Sequence, residues 1–263
     1  FQNSETAAII GDRAIITLTS GDLDIKASSD NNARIIGGAL SVSSAKAGIG
    51  LNVAVITNND KVTAAIGEDG VIHVNAGNVN ISAKSDLDAW AITVAAAIKT
   101  AGGATSGATI GGGLTVIVSN NEVLALLGDN SLIDAAGNVA VRAANDSYLL
   151  LVSASVAADT SGGSGVAAGG TVAVVVTGNK AEALLGKYVE IISGGDVTVA
   201  SLNIEKLISI LASASGASGS GTAVAGTVNV LVTNSRSLAA VGDYARITAE
   251  GDVKVTAESQ SKL

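Results

Sequence analysis

Five short stretches of this chain alternate apolar and polar residues with a period of two. Each stands behind a glycine: "GDLDIKA" from Gly21, "GNVNISA" from Gly77, "GNVAVRA" from Gly137, "GDVTVAS" from Gly195 and "GDVKVTA" from Gly251. In the last, Val253, Val255 and Ala257 point one way while Asp252, Lys254 and Thr256 point the other. Leu23/Ile25/Ala27, Val79/Ile81/Ala83 and Val139/Val141/Ala143 obey the same rule. The Gly-Asp or Gly-Asn pair supplies a turn, and the alternation predicts a half-buried strand after it. No copy offers the i, i+3, i+4, i+7 apolar stripe of a helix, so the pattern predicts an all-β chain.

The stretches belong to a longer repeat. An apolar residue followed by Gly closes an Ala-rich run at Gly11, Gly67, Gly128, Gly186 and Gly242, nine or ten residues before each alternating stretch. A third marker closes four units: "NVAVITNN", "LTVIVSNN", "TVAVVVTGN" and "TVNVLVTN". Three markers in constant order at spacings of 56 to 61 residues define a repeat protein. The expected units are about 4–60, 61–121, 122–180, 181–236 and a partial 237–263, forming one repeat-built domain over residues 1–263. Stacked coils of parallel strands, with Val, Ile, Leu and Ala inside, make a β-solenoid. A unit with five or six strand-like segments divides into two coils of about 28 residues each.

Part of every unit is nearly free of charge. Leu207 to Asn234 contains no charged residue, and similar pairs of segments occur at Ala33 to Asn58, Ala89 to Asn120 and Tyr148 to Asn179. Their Ser, Gly and Asn content argues against a membrane-spanning helix, which needs about 20 predominantly apolar residues. Their Val, Ile and Leu content argues against a flexible linker. Each reads as two strands around a Gly/Ser bend, either stacked under a neighbouring coil or facing another chain.

Composition sharpens this picture. The chain is 48% hydrophobic but only 2% aromatic, with 32 Gly and no Pro, Cys or Met. Such a core must be thin and regular. Disulfides, thiolate catalysis and Cys-based metal sites are excluded. The net charge of −8 and the scattered Lys and Arg speak against nucleic acid as a partner. "FQNSETAAIIGDR" shows no signal peptide, and a chain without Met reads as a mature product or a piece of something longer.

Candidate chemistry is sparse. His73 is the only histidine and alternates with Ile72 and Val74, which places it on an outward face without a second His for a metal pair. Asp22 with Asp24, and Asp86 with Asp88, have the local geometry of a calcium site or an acid pair, but neither pair recurs in the other units. Asn58, Asn120, Asn179 and Asn234 stand near the unit ends, where Asn suits a left-handed corner and stacked amides bond along a column. No catalytic, cofactor-binding or metal-ligating residue is assigned, and no cofactor or enzymatic activity is expected.

The markers together resemble the repeat region of large secreted bacterial adhesins, the filamentous-haemagglutinin-like and leukotoxin-type filamentous adhesin group. The resemblance runs from about Ser4 to Ala257. It implies a right-handed parallel β-solenoid, extracellular or at a bacterial cell surface, serving as a structural and adhesive module of a filamentous protein. A self-assembling fibre or sheath subunit is the alternative, and a carbohydrate-active β-helix enzyme is disfavoured by the missing aromatics. Self-association, end to end or laterally, or continuation in a longer chain is the expected partnership, with a host-surface or glycan target unassigned and no membrane span.

Overall fold

The computed structural model describes residues 1–44, 46–100 and 107–263. All of its regular structure among these residues is strand, arranged in five rungs. The first rung is β1 (Gln2–Ile10), β2 (Ile15–Leu18) and β3 (Leu23–Ser43); the second is β4 (Ala47–Ile66), β5 (Val71–Val74) and β6 (Val79–Lys99). The third is β7 (Ala108–Leu127), β8 (Leu132–Ala135) and β9 (Val139–Asp159). In the fourth, β10 (Val166–Thr177) and β11 (Lys180–Leu185) replace one long strand, followed by β12 (Glu190–Ser193) and β13 (Val197–Ala217). The fifth holds β14 (Thr222–Thr233), β15 (Arg236–Val241), β16 (Arg246–Ala249) and β17 (Val253–Lys262).

Every ladder is parallel and joins a strand to its counterpart one whole repeat away. Three sheets result: a first from β1, β4, β7, β10, β11, β14 and β15, a second from the four-residue strands, and a third from β3, β6, β9, β13 and β17. This is a parallel β-solenoid, as the repeat predicts. The expectation of two coils per repeat is corrected. Asn58 lies beside Gln2 and Lys180 beside Glu122, so one repeat makes one rung. No turn residue interrupts β6 or β9, and a 21-residue strand runs about 70 Å before the chain turns back.

Such strands outreach the solenoid body. The carboxyl ends of the first-sheet strands, the short second-sheet strands and the amino ends of the third-sheet strands enclose one core, in which Val62, Ile66, Ile72, Ile81, Leu127, Ile133 and Ile191 are inaccessible to solvent. Beyond it, the far halves of β3, β6, β9 and β13 pack face to face against the first halves of β4, β7, β10 and β14 as an arm. The neutral segments of the sequence form this arm, with residues 101–106 outside the described residues. A second core of Ile56, Ala89, Ala91, Ile117, Leu149, Leu151, Val175 and Leu207 fills its base.

Toward the tip the arm thins to a contact between backbones. Gly50, Gly111 and Gly169 stand in register. A Cβ on each would lie 2.3, 2.4 and 2.6 Å from the carbonyl oxygens of Ala96, Val156 and Ala214 in the facing sheet. Only glycine permits that approach.

The corners explain the sequence markers. Asp22, Asn78, Asn138 and Asp196 each accept, through Oδ1, the backbone N–H of the equivalent residue one rung on, at 2.7, 2.8, 2.7 and 2.8 Å. The Gly-Asx marker therefore ties rungs together as well as turning the chain. Two residues after the other marker glycine, Arg13, Asp69, Asn130, Tyr188 and Tyr244 all adopt left-handed backbone with φ between 56° and 60°. That is uncommon for Arg and Tyr, and the rings of Tyr188 and Tyr244 stack there at 5.0 Å.

Gly111→Val tests the thin arm. The added side chain collides with a backbone carbonyl that cannot step aside, so the variant should lose about 1–3 kcal/mol in denaturant unfolding while retaining its β-rich circular dichroism. Wild-type stability would show that the facing sheets are not in contact at this column.

Candidate functional site

Between the two cores the inward side chains turn polar. In the first sheet the inward series passes from Ile56, Ile117 and Val175 through Asn58, Ser119 and Thr177, then Asp60, Asn121 and Asn179, before reaching Val62, Val123 and Ala181. In the third sheet Ser85, Asn145 and Asn203 face them, followed by Ser147 and Glu205. The long third-sheet strands run through this level without a break, and the first-sheet side keeps its phase even where β10 gives way to β11 at 178–179, so alternation buries these groups and they bond to one another. Asn58 donates to Asn121 at 2.7 Å, Asn121 to Asn145 at 3.3 Å and Asn145 to Asn203 at 2.8 Å, while the Asn58 Oδ1 has no partner among the described residues.

Two carboxylates sit inside this polar waist. Asp60, 2% exposed, accepts hydrogen bonds from Ser4 and from Ser85, the latter at 2.8 Å. Glu205, fully buried, accepts from Thr177 at 2.7 Å, Ser235 at 2.5 Å and Asn179 at 3.5 Å. Neither has an ion-pair partner among the described residues. Hydroxyl and amide donors take the place of a counter-charge, which is the condition for tolerating a buried carboxylate.

On the outer face of the first sheet at the same level lies an open groove of about 690 Å³. Its floor carries an amide ladder in which Asn59 donates to Asn3 at 3.0 Å and Asn120 donates to Asn59 at 3.2 Å. Beside it Glu5, Lys61, Glu122 and Lys180 form a column of alternating charge, with Lys61 3.8 Å from Glu5. At steps of about 4.8 Å the groove presents an amide from Asn3, Asn59, Asn120 and Asn234, interrupted by Gly178, and one charge per rung that alternates in sign from Glu5 to Lys180. That chemistry suits a polyhydroxylated or zwitterionic surface.

The residues singled out in the sequence do not converge. His73 is outward and half-exposed, with Nδ1 3.4 Å from Asp134. Asp22 is engaged by the backbone and side chain of Asn78. Asp24 is held below the usual carboxylate range by hydrogen bonds from Lys26 and then from Asn80. Asp86 pairs with Lys84 at 2.6 Å, and Asp88 with Arg34 at 3.1 Å and with the Trp90 indole N–H. Among the described residues no cluster of three His, Cys, Asp or Glu forms a metal-binding group.

The asparagine column is corrected as well. Asn58 and Asn179 are buried in the waist, whereas Asn120 and Asn234 face the groove. They alternate because the markers they close differ by one residue in register, Asn120 lying beside Asn59 and not beside Asn58. Asn58 and Asn120 are strand residues, and the left-handed corners occur elsewhere.

One further ion pair escaped the sequence reading. Lys99 and Asp159, at the arm tip, are both buried and 3.4 Å apart. Ser161 donates both its backbone N–H and its hydroxyl to Asp159, at 3.0 and 2.6 Å, and Lys99 donates to Ser161 at 3.2 Å. Those bonds from Ser161, followed by the Lys99 charge, hold the Asp159 carboxyl below its ordinary value. Inward parity was the available signal for these residues, as it was for Asp60 and Glu205. No protein-family model, curated protein or solved structure matches the chain.

Asp159→Asn should cost about 3–5 kcal/mol, because it leaves the Lys99 ammonium buried without its counter-charge. Because the folded carboxyl titrates lower than the unfolded one, its contribution is complete above about pH 4 and fades as pH falls through the folded value. Urea unfolding between pH 2 and pH 7 should therefore show a smaller acid loss in the variant. Curves of equal slope would remove the pair from the stability of the tip.

Proposed function

We propose that this chain is a structural and adhesive segment of a filamentous protein displayed at, or secreted from, a bacterial surface. The observation that carries the reading is the unbroken stacking of five equivalent rungs, in which corner ladders, waist and groove all run along the same axis. A stack of this kind extends by adding rungs, each bonded only to its neighbours, which is how a shaft gains length. The groove supplies the adhesive face. Its amides recur on four of the five rungs and its charges alternate from Glu5 to Lys180, so weak contacts to a repetitive target add through multivalency.

A self-assembling sheath subunit is the second reading, and the apolar outer faces of the arm favour it. The carboxylates considered for polysaccharide chemistry are each engaged by Asn, Lys, Arg or Trp donors, an arrangement that favours a structural role for them.

Excision of residues 122–179 tests the shaft. It joins Asn121 to Lys180, the residue that lies beside Glu122, and so removes one rung in register. The shortened chain should unfold cooperatively with its β-rich spectrum intact, and collapse of the fold would contradict a modular shaft. For the groove, Asn59→Ala with Asn120→Ala should reduce retention on host-cell or glycan-coated surfaces at least about tenfold without changing the melting temperature. Unchanged retention would move adhesion to another face.

A further inference from the structure

The arm is inside out relative to the body. In the body, outward positions of the third sheet carry Lys26, Ser82, Arg142 and Thr198. In the arm the inward positions hold Thr93, Ala95, Ala97, Thr109, Gly111 and Thr115, while large aliphatic side chains face solvent. On interior rungs Val94 is 49% exposed, Val156 43%, Ile110 42% and Val172 37%. Among the described residues, Thr109, Ser155, Thr171 and Ser209 bury hydroxyls without a hydrogen-bond partner. Water is thus offered the apolar side of both sheets.

The exposed face of the first sheet has relief. Val53, Leu114, Val172 and Val228 stand in register as a ridge, and Ile49, Ile110, Ala168 and Val224 form another. Between them runs a furrow of Leu51, Gly112, Gly170 and Gly226. Leu51 leans over Gly112, but a Cβ on Gly170 would meet only the Gly226 carbonyl oxygen at 3.7 Å, and one on Gly226 would meet nothing within 4 Å. The furrow is open where those two glycines lie.

We propose that this face is the docking surface for the arm of a second copy of the chain, whose aliphatic ridge seats in the glycine furrow. The apolar band covers nine residues along the strand, about 30 Å, and four rungs, about 19 Å, giving roughly 550 Å² per face. Face-to-face contact between two arms then buries about 1,100 Å² in all, near the lower limit for a specific interface, and use of both faces doubles it. A furrow matched to a ridge is a protein-packing feature that acyl chains do not require. The tip carries Lys46 and the hydroxyls of Thr100, Thr160 and Ser218 beyond the band, and side-by-side arms leave these in water. The inference rests on the sidedness of the arm and not on the adhesive reading, so either can fail without the other.

Sedimentation of the 263-residue chain across a thousandfold concentration range, with circular dichroism on every variant, provides the test. The wild type should self-associate. Val172→Lys with Val228→Lys should leave a folded monomer. Gly170→Val with Gly226→Val adds apolar surface in open space, so it should keep the fold yet weaken association at least about tenfold by filling the furrow. Three results would overturn the proposal: a wild type that is monomeric throughout, a furrow-filled variant that associates as well as the wild type, or a wild type that floats with phosphatidylcholine vesicles without self-associating.

Discussion

In a parallel, in-register stack every side chain lies about 4.8 Å above and below its counterparts, so each column must tolerate its own repetition. The rest of this structure follows from that demand. Glycine columns let the sheets of the arm touch. Asx columns pass a hydrogen bond from each rung to the next backbone N–H, and the groove column alternates charge from Glu5 to Lys61 to Glu122 to Lys180. Like charges do stack in places: Arg236 lies beside Lys180 and turns to Glu182 at 3.5 Å, and where Asp196 lies below Asp252 the lower carboxylate accepts the upper residue's own N–H at 2.8 Å.

The same demand made much of the fold legible. Markers recurring at 56 to 61 residues identified the rung-to-rung spacing, and the alternating stretches after Gly21, Gly77, Gly137 and Gly195 coincide with the starts of the long third-sheet strands. The number of coils per repeat was not legible, because alternation reports that a segment is a strand without reporting which strand it pairs with. Β3 and β4 look like successive coils in the sequence, yet they face each other across the arm while each pairs a repeat away. The waist was hidden for a related reason. Asp60, Asn145 and Glu205 look like solvent residues until the parity of an unbroken strand is counted through them.

Parity also explains why body and arm differ so sharply. In β13 the inward set begins with Val197, Val199, Ser201, Asn203, Glu205 and Leu207, and the phase cannot change without a bulge. Ile208 and Ile210 are thereby forced outward, to 43% and 53% exposure, while Ser209 and Ser213 are turned inward. Local hydrophobicity alone would choose the opposite phase. The body imposes it because its core of Val, Ile and Leu is larger and drier than anything the arm could bury.

The waist is what keeps that conflict from being resolved by a register slip. A one-residue shift of a third-sheet strand would bring Ile208 and Ile210 into the arm, but it would also turn Val197 and Val199 out of the body and aim Asn203 and Glu205 at solvent. Thr177, Asn179 and Ser235 would then lose the carboxylate they donate to, and Asn145 the amide it bonds. Apolar contacts are forgiving of small displacements, whereas a buried hydrogen-bond network has one satisfied arrangement. The polar layer thus holds two cores of opposite preference to a single register. It leaves the arm with aliphatic faces that intramolecular packing cannot cover, and their burial is available only to association.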